Sequence, residues 1–529
     1  MRNDIENTVK TNNRNPDITY WLSPEGALRY NRYFNVAIHD IPYQYIAQRQ
    51  TFNKIVIPSL KLKDIIDNTF PDTTADMDIF GKDWVTATEH EVPCVEFFCE
   101  LSDWDGNEST MDRRGDGTRE NPWKNLQYAV NILKCYCSAC TYVVINVSGT
   151  CNYTPVCDST SIGTLCCDNL IINGNDEAVF NVKSNIYCQL YRCKLNFETK
   201  VTDYLYCHNL LYCDITAKAH VDINCRGGLI YGTYIRADSF ITIHSYYIIS
   251  CALTGNIVTT CGCLKDSECN LYIDYTTDTI SSVITVQLCT NNIINFKYIS
   301  RGREGTDAVI EVDPVLYIWE GKFETSGIFD NTVNVTSNTG YEYIPLSGVK
   351  CREDVNIYIC RNNINGGWFY DYFITMYAVS AVMYANNIQC QGANALFHIF
   401  LSDLCMTNDN IVSAGYSYVG VDITANSSVR LNSVTVEGRY GSGGAVTVDE
   451  SVYNSCICTY CTVKVDPDLY GTVQSIGFSR CTCIGCTSLK SDDAKGNWCA
   501  YYGCVVIDSM GSECIGSYPK DYECYPCTQ

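Results

Sequence analysis

Acidic and basic side chains lie at matching positions after regularly spaced cysteines in the middle of the chain. Aligning Cys193 with Cys213 puts Glu198 opposite Lys218, and the next repeat brings Arg236 to about the same position. Carboxylates beside a basic group can carry general acid–base chemistry or hold a calcium ion. The candidate catalytic residues of this first cluster are Glu198, Asp203, Lys218, Asp222, Arg236 and Asp238.

A second cluster flanks the glycine-rich segment YGSGGA, and its candidate catalytic residues are Glu437, Arg439, Asp449 and Glu450. On stacked strands about 4.8 Å apart, carboxyl groups one or two strands removed fall within the roughly 5–10 Å that glycoside hydrolysis requires. For both clusters, unlike charges stacked on a solvated face are the alternative interpretation, and this alternative involves no catalysis.

The 34 cysteines are the next source of candidate chemistry. Cys-x-x-Cys pairs can chelate zinc, although short cysteine spacings also arise by alternation in strands. The candidates for a metal site lie near the C-terminus and are Cys504, Cys514, Cys524 and Cys527. The opening segment MRNDIENTVKTNNRNPD lacks the apolar stretch of a signal peptide, so the sequence indicates no export by that route. We therefore expect mostly reduced thiols that pack as small hydrophobic groups.

Composition excludes several classes of protein. The 37 basic and 59 acidic residues give a formal net charge of −22, the wrong sign for a protein that neutralises the phosphates of a nucleic acid. With 46% hydrophobic and 18% charged residues, the chain is neither disordered nor a coiled coil. The longest apolar run, Tyr372–Tyr384, is shorter than the roughly 20 residues that cross a bilayer, so we expect no membrane insertion.

Periodicity indicates the elements that position these residues. Leu126, Ala129, Val130 and Leu133 have helical spacing and predict one amphipathic helix. After it, short alternating apolar runs return about every 18 to 24 residues, and the pairs Cys193/Cys213 and Cys207/Cys225 follow the same rhythm. Short strands with this repeat predict an all-β fold, a parallel β-helix in which each turn of the chain stacks on the one before.

Changes in composition predict four parts. Residues 1–100 are predicted to form a separate N-terminal domain, because cysteine is absent before Cys94; the attachment role given to it comes only from the family resemblance described below. Residues 101–135 are a connector and capping helix, and residues 136–490 are the parallel β-helix. Residues 491–529, rich in cysteine and tyrosine, are predicted to cap the last turn or to join subunits, because the segment is too aromatic for a solvated tail and too short to fold alone.

The segment RRGDGTRENPWKNLQYAVN, residues 113–131, resembles the start of pectate-lyase-like right-handed parallel β-helix proteins, which include phage tailspikes. The shared pattern is a Gly-Asp-Gly-Thr turn, then Asn-Pro-aromatic, then a short helix. The matching residues are Gly115, Asp116, Gly117, Thr118, Asn121, Pro122, Trp123, Gln127 and Ala129. The high cysteine density departs from the family.

The resemblance implies a virion protein of the tail or surface that binds bacterial surface glycan and can degrade it. A lyase of this family would use a carboxylate-bound calcium ion and a basic residue that removes a sugar proton; otherwise no cofactor is expected. It also implies contacts of residues 1–100 with other virion proteins, and a homotrimer. A non-enzymatic structural or adhesive β-helix is the first alternative. An extracellular or cell-surface polysaccharide lyase or glycoside hydrolase is the second.

Tyrosine supplies a further hypothesis about binding. The 40 tyrosines are numerous for this length, and exposed rings on an acidic, lightly charged surface offer flat apolar faces with a polar tip. Such faces suit the binding of sugars, although many of these rings are expected to pack inward.

Overall fold

The structure is a computed structural model of the 529-residue chain. From residue 390 onward it describes the backbone of the strands and not their side chains. The described residues are 51–62, 85–101, 115–133, 142–154, 156–157, 169–181, 184–186, 188–198, 203–274, 283–299, 316–318, 326–337, 349–351, 356–368, 372–407, 411–414, 417–432, 435–438, 446–450, 455–459, 462–465, 476–478, 481–484, 489–490, 500–507 and 513–518.

This described part contains one helix, α1 (Leu126–Leu133), and 38 strands. The strands up to residue 265 are β1 (Thr51–Leu62), β2 (Val85–Glu100), β3 (Tyr142–Ser148), β4 (Thr150–Cys151), β5 (Val156–Cys157), β6 (Leu170–Asn173), β7 (Val179–Phe180), β8 (Ser184–Ile186), β9 (Gln189–Tyr191), β10 (Lys194–Phe197), β11 (Asp203–Leu211), β12 (Asp214–Ala217), β13 (Val221–Tyr231), β14 (Tyr234–His244), β15 (Tyr247–Ile249) and β16 (Ala252–Lys265).

The later strands are β17 (Glu268–Asp274), β18 (Ile284–Thr290), β19 (Ile293–Ile299), β20 (Leu316–Ile318), β21 (Ser326–Phe329), β22 (Thr332–Ser337), β23 (Val349–Cys351), β24 (Asn356–Cys360), β25 (Asn363–Trp368), β26 (Tyr372–Tyr384), β27 (Asn387–Thr407), β28 (Ile411–Ala414), β29 (Ser417–Asn432), β30 (Thr435–Gly438), β31 (Val446–Glu450), β32 (Ser455–Thr459), β33 (Thr462–Val465), β34 (Ile476–Phe478), β35 (Cys481–Ile484), β36 (Leu489–Lys490), β37 (Ala500–Ile507) and β38 (Glu513–Tyr518).

The chain divides into two compact units. The first unit holds residues up to 61 and residues 86–257; the second holds residues 62–85 and 258–529. The predicted domain boundaries near residues 100, 135 and 490 stay predictions. Residues 1–50 of the predicted attachment domain lie outside the described residues, whereas Cys94–Glu100 pair in parallel with β3.

Three parallel ladders run through the first unit. One joins β2, β3, β6, β9, β11, β13 and β15; another joins β4, β7, β10, β12 and β14; the third joins β5, β8, β11, β13 and β14. Lys194 pairs with Asp214, which pairs with Tyr234, and this register confirms the predicted alignment of Cys193 with Cys213. Cys207 and Cys225 are also in register, as predicted.

The second unit repeats this pattern with longer connections. One ladder runs β16, β18, β21, β24, β26, β27, β29, β32, β35 and β37; a second runs β17, β19, β22, β25, β27, β28, β30 and β33; a third runs β16, β18, β20, β23, β26, β27, β29, β31 and β34. Asn292, Asn331 and Asn362 are separated by 39 and 31 residues, beyond the predicted repeat. The pair β37–β38 is antiparallel.

Identical faces of successive strands stack to form the core. In the first unit Leu195, Ile215 and Ile235 are in register and fully buried. In the second unit Ile294 and Val333 stack in the same way. β-Branched and leucine side chains suit this pleated surface, and outward polar residues alternate with them. The described chain is therefore all-β with mostly parallel strands, an arrangement compatible with a β-helix.

The predicted helix is confirmed as α1, and its four apolar residues are buried. The Asn125 carboxamide accepts a hydrogen bond from the Tyr128 amide at 2.9 Å, which caps the helix N-terminus. The tyrosine hydroxyl of Tyr153 accepts the Leu126 amide at 2.7 Å. No helix in the described ranges is long and apolar enough to cross a membrane.

Cysteines fill the core as free thiols wherever their side chains are described. Fourteen are free and buried, from Cys94 to Cys360. Burial raises the pKa of Cys251 and of Cys360 to about 12. In this part of the chain, the expectation of reduced, packed thiols agrees with the structure.

Candidate functional site

Four residues of the first predicted cluster form two exposed ion pairs. Lys218 Nζ lies 2.9 Å from Glu198 Oε1, as their alignment predicted. Arg236 pairs with Thr216, two residues before the position opposite Lys218 that the alignment gave it, and its Nε lies 3.0 Å from Asp238 Oδ1. The hydrogen bond and charge of Glu198 raise the pKa of Lys218, and Asp238 adds a smaller effect. The catalytic roles of these four residues stay predictions.

The other two members of this cluster lie on different strands. Asp203 begins β11, is buried and pairs with Val221. Asp222 lies on β13 between Tyr204 and Thr242, with its Oδ1 atom 3.9 Å from His244 Nε2. Neither residue is in register with Lys218. Their catalytic roles stay predictions.

The second cluster and the C-terminal cysteines can be placed only by backbone register. Glu437 pairs with Ser413 and Lys464, whereas Asp449 and Glu450 pair with Thr424 and Ala425. Cys504 and Cys514 lie on the two antiparallel strands β37 and β38. Arg439, Cys524 and Cys527 lie outside the described residues. Among the side chains that are described, no group of three or more His, Cys, Asp or Glu residues is arranged to hold a metal ion.

A group of polar and aromatic side chains surrounds an open space at the start of the first unit. A groove of about 300 Å³ opens between the end of β2, the outer side of β3 and the turn after β6. Its lining is Phe98, Cys99, Glu100, Arg119, Pro122, Asn146, Val147, Ser148, Asn175 and Glu177. This site was not predicted from the sequence.

The Gly-Asp-Gly-Thr turn builds one wall of the groove. Asp116 Oδ1 accepts hydrogen bonds from the Thr118 amide at 3.1 Å and from its hydroxyl at 2.6 Å, which closes the turn. Gly117 has a φ of 79°, and a Cβ atom there would lie 2.7 Å from the Trp123 ring. The turn needs glycine at this position for both reasons. The turn places Arg119 at the opening of the groove.

Arg119 is held over an aromatic ring. Its guanidinium carbon lies 5.1 Å from the centroid of the Phe98 ring, a cation–π arrangement. The Phe98 amide donates to Gly117 O at 2.8 Å, which fixes the ring relative to the turn. Arg119 is exposed, and no ion pair to a carboxylate of the described residues is found for it.

Carboxylates and amides complete the groove. Glu100 forms an ion pair with Lys124. Asn146 lies opposite Phe98, and its carboxamide oxygen accepts a hydrogen bond from Asn173 Nδ2 at 2.8 Å. Asn175 and Glu177 are exposed on the turn after β6. The groove thus combines donors and acceptors within a small volume, next to an aromatic ring.

Three of the described tyrosines pack against one another. Tyr191, Tyr212 and Tyr231 pack edge to face, with ring centroids 5.4 Å apart in each neighbouring pair. The Tyr212 hydroxyl donates to Glu89. Tyr234 is 41% exposed. These three rings are half-buried and pack against one another.

Comparison with protein-family models, with curated proteins and with solved structures finds no match for this chain. Function is therefore inferred from the chemistry of the described side chains.

Proposed function

We propose that the chain is a right-handed parallel β-helix protein of the tailspike type that binds a bacterial surface polysaccharide through the groove beside the Gly-Asp-Gly-Thr turn. The observation that carries this proposal is the grouping of Arg119, Phe98, Glu100, Asn146 and Glu177 around one space of about 300 Å³. Guanidinium, carboxylate and carboxamide groups bind sugar hydroxyl and carboxylate groups, and an aromatic ring packs on sugar faces.

The fold part of the proposal is supported by the strand pattern. Each unit has three parallel ladders in which identical faces stack, and buried residues recur at one register position. In a β-helix each turn of the chain buries its apolar side on its neighbours, and one side of the stack stays accessible for a long ligand. A map from electron cryo-microscopy in which the strands do not coil right-handedly would overturn this part.

Binding without chemistry is the form that the side chains favour. Glu198, Lys218, Arg236 and Asp238 are exposed and paired with opposite charges. A non-enzymatic adhesive protein is therefore the nearest alternative to a degrading enzyme. Glycoside hydrolysis has one point in its favour, because Glu100 and Glu177 line the same groove.

Binding assays on the full-length protein with a panel of purified bacterial capsular polysaccharides test the proposal. We expect Arg119→Ala and Glu177→Gln each to weaken binding about tenfold, since each removes one charge-assisted contact. Lys218→Ala is the matched control, because it removes an exposed charge outside the groove. Unchanged affinity in both groove variants, with native circular dichroism, would refute the assignment.

Products of the same incubations separate the catalytic alternatives. New reducing ends without ultraviolet absorbance indicate a hydrolase, and absorbance from an unsaturated sugar indicates a lyase, whose activity would then be checked with and without calcium. If neither signal is seen, the result supports a non-enzymatic adhesive protein.

We further propose that the chain forms a homotrimer in a virion and is attached to it through residues 1–100. Light scattering on the full chain and on a chain ending at Gly496 tests the trimer and the role of the last 33 residues, and a monomer in both cases would reject it.

A further inference from the structure

Cys207 and Cys225 face each other in the core of the first unit. They are Cα partners in the parallel pairing of β11 with β13. Their Sγ atoms are 3.5 Å apart, and both residues are buried. Eighteen residues separate them along the chain. Two thiols thus lie in contact with no group between them.

This placement matches what a disulfide bond requires of its backbone. Paired strands lie about 4.8 Å apart, which falls inside the roughly 4.4–6.8 Å range of Cα separations found for disulfides. Residues paired in register on parallel strands also direct their Cβ atoms to the same face of the sheet. The Sγ atoms must approach by about 1.5 Å to reach a bond of about 2.05 Å. The pairing changes register just after Cys207, between Cys207 and Asn209, so the ladder is already irregular there.

We propose that Cys207 and Cys225 are a latent disulfide site, which closes when the folded protein meets a thiol oxidant of the diazenedicarboxamide class. One thiolate adds to the N=N bond of the oxidant, which forms an S–N bond. The second thiolate attacks that sulfur, the S–S bond forms, and the S–N bond breaks. The two thiols lose two protons and two electrons, and the oxidant leaves as the hydrazine that has gained them.

The environment of the thiols sets the rate of this reaction. Burial raises the pKa of Cys207 well above its ordinary value, and contact with Cys225 adds to the effect. The reactive species is the thiolate, so the bond is expected to form slowly at neutral pH and faster as the pH rises. Once formed, it closes a loop between adjacent strands and restricts the unfolded chain. The thermal midpoint of unfolding is expected to rise by several degrees.

Cys251 provides the matched control for this site. It is a buried thiol of the same unit, and its Sγ contacts the carbonyl oxygens of Ile230 and Ile249. Its replacement by serine removes one core thiol that is near Cys225 but is not a member of the proposed pair. This site is independent of glycan binding, since both sulfur atoms lie inside the core.

The experiment treats the full-length reduced protein with diamide at pH 8, blocks the remaining thiols with iodoacetamide, and maps non-reduced peptides by mass spectrometry. We expect a linked peptide pair that contains Cys207 and Cys225. The link should persist in Cys251→Ser and be lost in Cys225→Ser. Alkylation of both Cys207 and Cys225 after oxidation, or linkage of Cys207 to another cysteine, would overturn the proposal. The map of the unaltered chain decides the matter even where Cys225→Ser fails to fold.

Discussion

Both units make the same turn between two of their ladders, but different side chains fill it. In each case a residue with left-handed φ, such as Tyr212 at 55° in the first unit or Asp330 at 55° in the second, precedes an inward-pointing residue. These inward residues are called the turn column. In the first unit the turn column is Cys193, Cys213, Thr233 and Cys251; in the second unit it is Ser267, Asn292, Asn331, Asn362 and Asn386.

Asparagine connects neighbouring turns in both directions. Asn331 Nδ2 donates to Cys289 O at 2.9 Å, and Asn331 Oδ1 accepts the Asn292 amide at 3.0 Å. Asn362 repeats this pattern, with its Nδ2 on Ile328 O at 2.9 Å and its Oδ1 on the Asn331 amide at 3.0 Å. Each carboxamide therefore satisfies a buried carbonyl and a buried amide that the turn leaves unpaired.

Cysteine makes weaker versions of the same contacts. Cys213 Sγ lies 3.4 Å from Leu190 O and 3.5 Å from Leu211 O. The Cys213 amide donates to the Thr233 hydroxyl at 3.3 Å. A thiol is a weak donor and acceptor, but it is small and apolar and fits a tight core. The same backbone turn thus tolerates two chemistries, and only the asparagine form contributes strong hydrogen bonds.

The largest expected effect is the loss of one asparagine of the turn column. Asn331→Ala leaves the Cys289 carbonyl and the Asn292 amide unpaired in the core, so we expect a loss of about 3 kcal/mol of unfolding free energy. Cys213→Ala should cost about 1–2 kcal/mol, mostly through lost packing. Urea unfolding of both variants measures the difference. Equal losses of unfolding free energy in the two variants would show that asparagine stabilises the turn no more than cysteine does.

The second largest difference between the two turn columns is expected in how the unfolding free energy changes at alkaline pH. The pKa of Cys251 in the folded chain is about 12, against an ordinary value of 9.0, so the folded state holds more protons between these limits. Stability therefore falls as the pH rises from about 9 to 12, by at most about 1.4 kcal/mol per pH unit for each such thiol. We expect Cys251→Ser to reduce the loss between pH 8 and pH 10, measured by urea unfolding. Asn331→Ser should leave that slope unchanged, because no ionisable group is removed.

A conservative exchange is expected to have a smaller effect. Thr233 already places a hydroxyl in the turn column of the first unit, where it bonds Tyr231 O at 3.0 Å. Cys213→Ser should therefore cost about 1 kcal/mol or less. Asn331→Ser should cost more, since a hydroxyl is too short to span both contacts of the carboxamide. Thermal unfolding of the two serine variants checks this order, and the reverse order would contradict it.

The smallest effect is expected at the exposed ion pairs. The side chains of Lys218 and Glu198 are 56% and 64% exposed, and pairs of this kind contribute little because water screens them. Lys218→Ala should leave the thermal midpoint of unfolding and glycan binding unchanged. A clear loss of binding would show instead that this predicted cluster, and not the groove, contacts the ligand.

The sequence predicted features that depend on residues close together or evenly spaced. Leu126 and Leu133 marked the helix because helical spacing shows directly in a short segment. The pair Glu198 and Lys218 followed from a 20-residue repeat that the structure keeps. The asparagine turn column was missed, because Asn292, Asn331, Asn362 and Asn386 have unequal separations of 39, 31 and 24 residues. Residues in longer connections change the spacing without changing the turn.

The groove also could not be predicted from the sequence, because its residues are far apart along the chain. Arg119 belongs to a segment whose pattern was recognised, but that pattern explains the turn and not the use of the arginine. Glu100 and Glu177 have no local signal that links them. They line one groove because β2 pairs with β3 and β3 pairs with β6, which brings the turn after β6 alongside.

Composition and periodicity alone determined that this is an all-β chain of repeated short strands, because alternation of apolar residues and a regular return of the same residue types are properties of the sequence itself. They favoured reduced cysteines, but it is the structure that shows the described cysteines as buried thiols. Tertiary structure alone decided which charged side chains form ion pairs with one another and which line a groove. Hydrogen bonds and ion pairs act over a few ångströms, and only the stacking of distant strands sets those distances.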